Sequence, residues 1–490
     1  MSSSTDDGGV TPRLKKWRYN SPYVQSMIVG ATLFCCPGTY LAMTGLGAGG
    51  VHPSYIHITD AGNVVLYCMF GLAGVFGGSI INQFGPRITL MIGATGYSIY
   101  AGSLWYIDQG KGGWFNILAG FICGITSGLL WSTQGYITTV YATEQEKGKY
   151  IATTWLFNAA GSVMGASLVL GLSAKNTTIS GVPSAVYITF ITIECCGILV
   201  AALLMDPTKV RRDDGRPLAI FTPLPWYQEL KALGKACAEP KMLLITLSIF
   251  SSEMYLSLCG TFNSVYLNAR SRALANLAYW IMQIVGALVI TAVTDAKGYQ
   301  RRHRAFAGLC LVACVIGGTW IAMITFLSVN NIDRNDPRGV DWTDGSVFAG
   351  PLVIYMFFGL CYPLFQNFHH WLYSTFSNEP HILARYSGYF KGVQAFGTAT
   401  AFGIDSRKTP LINMGAAYFP LMMIGLVLSA TSAYKYTTNT NYGKEVGVIV
   451  PAVVERELGV HTDDGTLEIA GVEMAQESHQ TGQEKGHQEA

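Results

Sequence analysis

Charge is what this chain has least of. Asp, Glu, Lys and Arg make up 13% of 490 residues, about half the share usual in soluble domains. The two signs nearly cancel, leaving a net charge of +2, so no nucleic-acid partner is expected. Ten of the eleven cysteines fall inside apolar runs, and Cys237 lies in a polar loop; a disulfide framework would need them in other loops. The pattern G-x-x-x-x-G-K-[ST] is missing, which excludes a P-loop to power a pump. Cys310-x3-Cys314 has the spacing of one helix face, but no His or carboxylate shares that run, so packing or lipid contact is its expected role. With no metal or nucleophile constellation, no cofactor, no metal site and no enzymatic activity are expected. The first 20 residues are hydrophilic and show no signal-peptide pattern;.

What is abundant is apolar surface: hydrophobic residues reach 50%. Twelve apolar stretches fall at 22–46, 59–83, 88–107, 114–141, 149–172, 184–205, 242–267, 273–294, 305–327, 347–372, 386–404 and 411–434. About 20 apolar residues span a bilayer as a helix, the one open-ended structure that satisfies its own backbone in hydrocarbon. The fold class is therefore all-α integral membrane, with twelve transmembrane helices in a lipid bilayer. Gly, at 55 residues, suits membrane helices that approach closely, as along Gly120, Gly124 and Gly128, or in the pairs Gly74/Gly78 and Gly161/Gly165.

Putting the N-terminus in the cytosol places 24 of the 32 Lys and Arg residues on the cytosolic side and 8 outside. The positive-inside rule then predicts both termini in the cytosol. The sequon Asn176-Thr177-Thr178 falls in a loop assigned to the outside, so Asn176 is a candidate glycosylation site;. The polar segment 206–241 separates a six-helix half, 22–205, from a second, 242–435, as expected between parallel repeats. A cytosolic segment, 1–21, precedes them. An acidic cytosolic tail, 436–490, is expected to be disordered, and its apolar patch Val446 to Val454 is too short to span;.

After the second stretch the chain reads Gly78-Ser-Ile-Ile-Asn82-Gln-Phe-Gly85-Pro-Arg87. This resembles the loop signature of the major facilitator superfamily, G-x-x-x-D-x-x-G-R-[RK], with Asn82 in the usual Asp position. Gly85 permits the tight turn, and Asn82 puts a charge-based gating lock in doubt. Asp295-Ala-Lys297-Gly298-Tyr-Gln-Arg301-Arg302 echoes the signature in the second half. The segments SMIVGATLFCCPGTYLAMTGLGAGG, GLLWSTQGYITTVYATEQEKG and FNSVYLNARSRALANLAYWIMQ resemble the Unc-93-like branch, especially its fungal members. The resemblance implies a major facilitator fold of two six-helix halves. Its members include transporters, a regulator of potassium channels and a trafficking chaperone for receptors. By contrast, Gly45-Leu-Gly47-Ala-Gly49-Gly50 matches G-x-G-x-x-G but follows a membrane helix, so no dinucleotide site is read there.

Ionisable groups in hydrocarbon are functional candidates, since burying them costs about 2.5–3.5 kcal/mol on insertion scales. Glu194 and Glu253 lie near the centres of the sixth and seventh stretches. The resemblance implies that helices one, four, seven and ten line the cavity, which favours Glu253 for coupling or substrate binding. Glu194 is expected to bond a neighbouring helix. Gln25, Trp131, Gln134, Gln366 and Asn367 complete the polar shortlist, with interhelical bonding as the competing role. No central cation is evident, which argues against a strongly anionic cargo. His369, His370, Trp114, Tyr141 and Trp371 are read as interfacial. The expected function is a secondary transporter for a small solute, working by alternating access with proton coupling as an option. The alternative is a non-transporting partner that regulates or escorts another membrane protein. The plasma membrane and vacuolar or other endomembranes are all compatible.

Overall fold

The computed structural model describes residues 17–44, 56–173, 184–218, 224–445, 448–452 and 454–455. Asn176 and the glycine run 45–50 lie outside them. Among the described residues there are twelve long helices: α1 (Pro22–Thr44), α2 (Ile56–Phe84), α3 (Pro86–Asp108), α4 (Trp114–Val140), α5 (Lys147–Ser173), α6 (Ser184–Ala202), α7 (Pro240–Tyr266), α8 (Ala269–Thr294), α9 (Arg301–Val329), α10 (Ser346–Ser374), α11 (Pro380–Ser406) and α12 (Leu411–Tyr436). Ten are long and apolar enough to cross a membrane, and α3 and α11 match them in length but are more polar. Between α6 and α7 lies an amphipathic linker helix, Trp226–Ala238. Two isolated bridges, Arg211–Pro217 and Leu267–Val340, are the only β pairing among the described residues.

Helix irregularities follow from local chemistry. Pro37 cannot donate a backbone bond, and α1 widens to a π turn over Phe34–Gly38;. The seventh apolar stretch is not one continuous helix: α7 breaks between Ser251 and Tyr255. There Ser251 and Ser252 hydroxyls bond the carbonyls of Leu247 and Ile249. The backbone tightens to three-residue spacing, with Met254 N–H on Ser251 O (3.2 Å) and Leu256 N–H on Glu253 O (3.0 Å);.

The two halves meet along two helix pairs, α2 on α11 and α5 on α8. The loops that the charge bias assigned to one side meet at one face of the bundle, hereafter the linker face. Asp295, after α8, accepts from the backbone N–H groups of Gly148 (3.0 Å) and Lys149 (2.7 Å) at the start of α5. Burial pushes that carboxyl up to about 6, against the pull of those two donors;. Glu144 pairs with Arg301 at 2.7 Å, both nearly inaccessible, and accepts from Asn378 and from Asn441 N–H. The Lys147 ammonium reaches across to the carbonyls of Ser374 and Ser377 and to Asn378 Oδ1.

The expectation of disorder fails for the described part of the tail, 437–445, 448–452 and 454–455. Tyr442, Val448 and Val450 form a small buried cluster. Arg212 donates to Ile449 O, and Arg216 donates to Val450 O and pairs with Glu455 at 2.7 Å. The apolar patch seen in the sequence is too short to span, and its carbonyls meet linker arginines instead. Arg216→Ala should raise amide exchange in 448–455 about tenfold, the loss of one or two hydrogen bonds to a charged group. Unchanged exchange would show that the linker does not hold the tail.

Candidate functional site

Glu253 lies midway between Pro240 and Tyr266, in the break of α7, and is 6% exposed. A helix break at mid-depth frees backbone and side chain to face the interior, which is tolerated only where protein or a cavity surrounds it. The Tyr362 hydroxyl of α10 donates to Glu253 Oε1, and Thr398 of α11 donates to Oε2 at 3.2 Å. Gly397 places the α11 backbone directly on the carbonyl of Phe250, where no side chain would fit.

Beside this carboxylate sits a cation that the charge count had assigned to a loop. Lys391 is inside α11 and 3% exposed, which overturns the reading that no central cation exists. Its ammonium lies 4.6 Å from the centroid of the Trp131 ring of α4 and 5.2 Å from that of Phe390. It also donates to Gln394 Oε1 at 3.2 Å. Aromatic faces extend the cluster through both halves. Trp131 meets Trp155 of α5 (6.2 Å between centroids), Trp155 meets Tyr362 edge-on (5.2 Å), and Tyr362 meets Tyr255 of α7 (6.0 Å). Trp155 is fixed by its indole N–H on Gln283 Oε1 of α8, at 3.1 Å. The centre thus combines one acid, one cation and aromatic walls.

The shortlisted residues divide. Trp131 and Glu253 come together. Gln366 stands one helical turn from Tyr362 on α10, buried, with neither amide atom partnered among the described residues; Asn367 beside it is likewise unpartnered there. Gln134 donates to Thr154 at 2.9 Å and joins α4 to α5. Gln25 is not at the site: its amide bonds Tyr19 O and Met205 N–H, tying the start of α1 to the end of α6. Glu194, fully buried, accepts from Thr39 at 3.2 Å and so joins α6 to α1. His369 and His370 are buried rather than interfacial, bonded to Ser429 (3.2 Å) and Thr138 (3.2 Å). Tyr141 and Trp371 are also buried, whereas Trp114 is exposed. Cys310 and Cys314 face outward. No cluster of three or more potential metal ligands occurs among the described residues.

A second constellation lies at the linker face. Gly85 takes φ +80° and turns the chain from α2 into α3. Arg87 is exposed and makes no ion pair among the described residues. Asn82 instead donates to Glu229 Oε1 of the linker helix at 3.0 Å, and Arg385 of α11 grips the same carboxylate with two donors at 2.9 and 2.6 Å. Burial alone would push the Glu229 carboxyl up, but Arg385 and Asn82 outweigh it and hold the group below the usual range;. Gly78 packs where a Cβ would strike the Ala384 backbone. The motif's missing carboxylate is therefore supplied by the linker, a long-range substitution that no local pattern in the sequence signals.

Residues 28–402 match the Major Facilitator Superfamily. An uncharacterised membrane protein of Schizosaccharomyces pombe is 38% identical over 408 residues, covering 83% of each chain. UNC93-like protein 1 of Arabidopsis thaliana is 33% identical over 429 residues, covering 87% of this chain and 93% of its own. Among solved structures, the xylose transporter XylE from E. coli superposes with a TM-score of 0.56 at 14% identity, covering 86% of this chain and 99% of that one.

Proposed function

The chain belongs to the UNC93-like branch of the major facilitator superfamily, and we propose that it is a secondary transporter moving a small solute by alternating access of its two halves. The observation that carries this reading is Glu253 in the break of α7, bonded by Tyr362 and Thr398 beside the Lys391–Trp131 contact between halves. An acid in a helix break at mid-depth is where transporters place coupling and substrate groups. Glu253 is assigned to coupling, and Trp131 and Gln366 to the solute. The linker face is assigned to the cytosol with both termini, and Asn176 to the opposite side.

The test compares intracellular and medium metabolites in cells with no copy, the wild type, or Glu253→Gln at matched membrane levels. The expected result is a solute whose partition follows the wild type and not the variant, with at least a tenfold loss of flux. Movement by both proteins would keep transport and remove Glu253 from coupling. No difference under any condition would favour the non-transporting partner, and the next measurement would be what co-purifies with the chain.

A further inference from the structure

Resting on that reading, we infer that the central site takes an organic monoanion, a carboxylate or sulfonate with an apolar or aromatic body, together with one proton. Lys391 would bind the anionic group and Glu253 the proton. Lys391 and Glu253 are both buried, yet neither makes an ion pair within 4.0 Å among the described residues. Gln394 accepts from Lys391 at 3.2 Å, and its amide also faces Glu253. Glu253 already holds donors from Tyr362 and Thr398 as well. Lys391 holds one oxygen acceptor and two aromatic faces, and so has donor capacity left for an anion.

Other groups frame the pair without competing for the anion. Tyr67 of α2 and Tyr279 of α8 face Glu253, and His370 of α10 faces Lys391. Gln366 lies on the same face of α10 as Tyr362 and His370, one turn from each, and its unpartnered amide offers a second donor. Trp131 and Trp155 supply the apolar wall.

Charge balance dictates the proton. With Lys391 and Glu253 both ionised, the pair is neutral before an anion binds. An added monoanion would leave a net negative charge in low dielectric, which is strongly penalised. Protonation of the Glu253 carboxylate by one aqueous proton restores neutrality, with no covalent bond broken. A zwitterion would be neutral without the proton, so proton uptake separates the two classes.

Purified full-length protein would be tested by thermal unfolding with benzenesulfonate, benzenesulfonamide, benzylamine and phenylalanine. A pH indicator in weak buffer would follow protons, since benzenesulfonate stays ionised and any uptake belongs to the protein. Benzenesulfonate should raise Tm by ~2 °C or more near saturation, with one proton taken up per anion. Its Kd should fall about tenfold for each unit of pH decrease above the carboxyl's midpoint. Lys391→Gln should abolish binding, Lys391→Arg should keep it, and Glu253→Gln should bind the anion without proton uptake or pH dependence. Binding of phenylalanine alone, anion binding without proton uptake, or no binding by any of the four would each overturn the inference. A solute partitioned in cells equally by wild type and Lys391→Gln would leave transport standing while removing the anion. Binding in solution with no solute partitioned in cells would retain the site and remove transport.

Discussion

Arg385→Gln is expected to open the linker face and to destabilise the protein more than any other single change at that face. The substitution strands the Glu229 carboxylate in a position with no accessible surface, keeping only Asn82. Breaking a buried ion pair from one side costs about 3–5 kcal/mol, because the remaining charge stays desolvated. The pair ties the linker helix to α11, and Asn82 ties both to α2, so the penalty falls on the state in which these elements are closed. The reporter is Ser387→Cys, buried on α11 against the Ser132 carbonyl of α4. Its modification by a water-soluble maleimide should accelerate on the order of a hundredfold in the Arg385→Gln background. Glu229→Gln added to Arg385→Gln should recover part of the loss, since the stranded charge is gone. Equal maleimide rates in all backgrounds would show that this junction does not hold the face closed.

The same junction sets a pH dependence. Burial pushes the Glu229 carboxyl up, and Arg385 and Asn82 bring it net below the usual value. A depressed folded value gives stability that is present above the unfolded value and lost as pH falls through the folded one. The junction should therefore stay closed as pH drops through the ordinary carboxylate range and fail only below it. Asn82→Asp, which restores the superfamily signature, would here set two carboxylates about the 3.0 Å contact now made by the Asn82 amide, and should weaken the junction.

Twelve helices, two halves and one shared side for alternate loops were legible because apolar length and the Lys/Arg bias are strong one-dimensional signals. Glu253 was legible for the same reason: a carboxylate in the middle of an apolar run is costly enough to notice. Lys391 falls near the start of the 386–404 stretch, close behind Arg385, and was counted with the loop cations. Its neighbours Tyr389, Phe390, Val393 and Phe396 were the available signal that it lies inside the helix. Tyr362 and Trp155 look like ordinary apolar filling along the chain, and only the crossing of α5, α7 and α10 brings them to Glu253. Gln25 misled for the converse reason, as a polar residue in the right helix whose amide is consumed by the backbone of Tyr19 and of the distant Met205. The polar network at the linker face joins residues more than a hundred positions apart, and no spacing rule reaches that far.

Gly388→Ala should shift the halves apart, with Gly403→Ala in the same helix as the silent control. A Cβ on Gly388 would lie 2.7 Å from Gly74 O and 2.8 Å from Gly78 N, both backbone atoms of α2. Backbone inside a helix cannot yield as a flexible side chain can, so the two helices must separate to accept the methyl group. Gly392 makes the reciprocal approach, 2.7 Å from Val75 N and 2.8 Å from Gly71 O, so the contact runs over more than a helical turn. Gly403 meets nothing within 4 Å. Overpacking costs about 1–3 kcal/mol, here charged to the closed arrangement of α2 and α11. Gly388→Ala should therefore lower Tm and raise maleimide access to Ser387→Cys by roughly five- to a hundredfold, while Gly403→Ala changes neither. If alternating access separates α2 from α11 at the linker face, the same methyl group favours the open state, and transport should slow because closing again becomes uphill. A Gly388→Ala protein with wild-type Tm and reporter rate would mean that the close approach of α2 and α11 contributes nothing to the closed state.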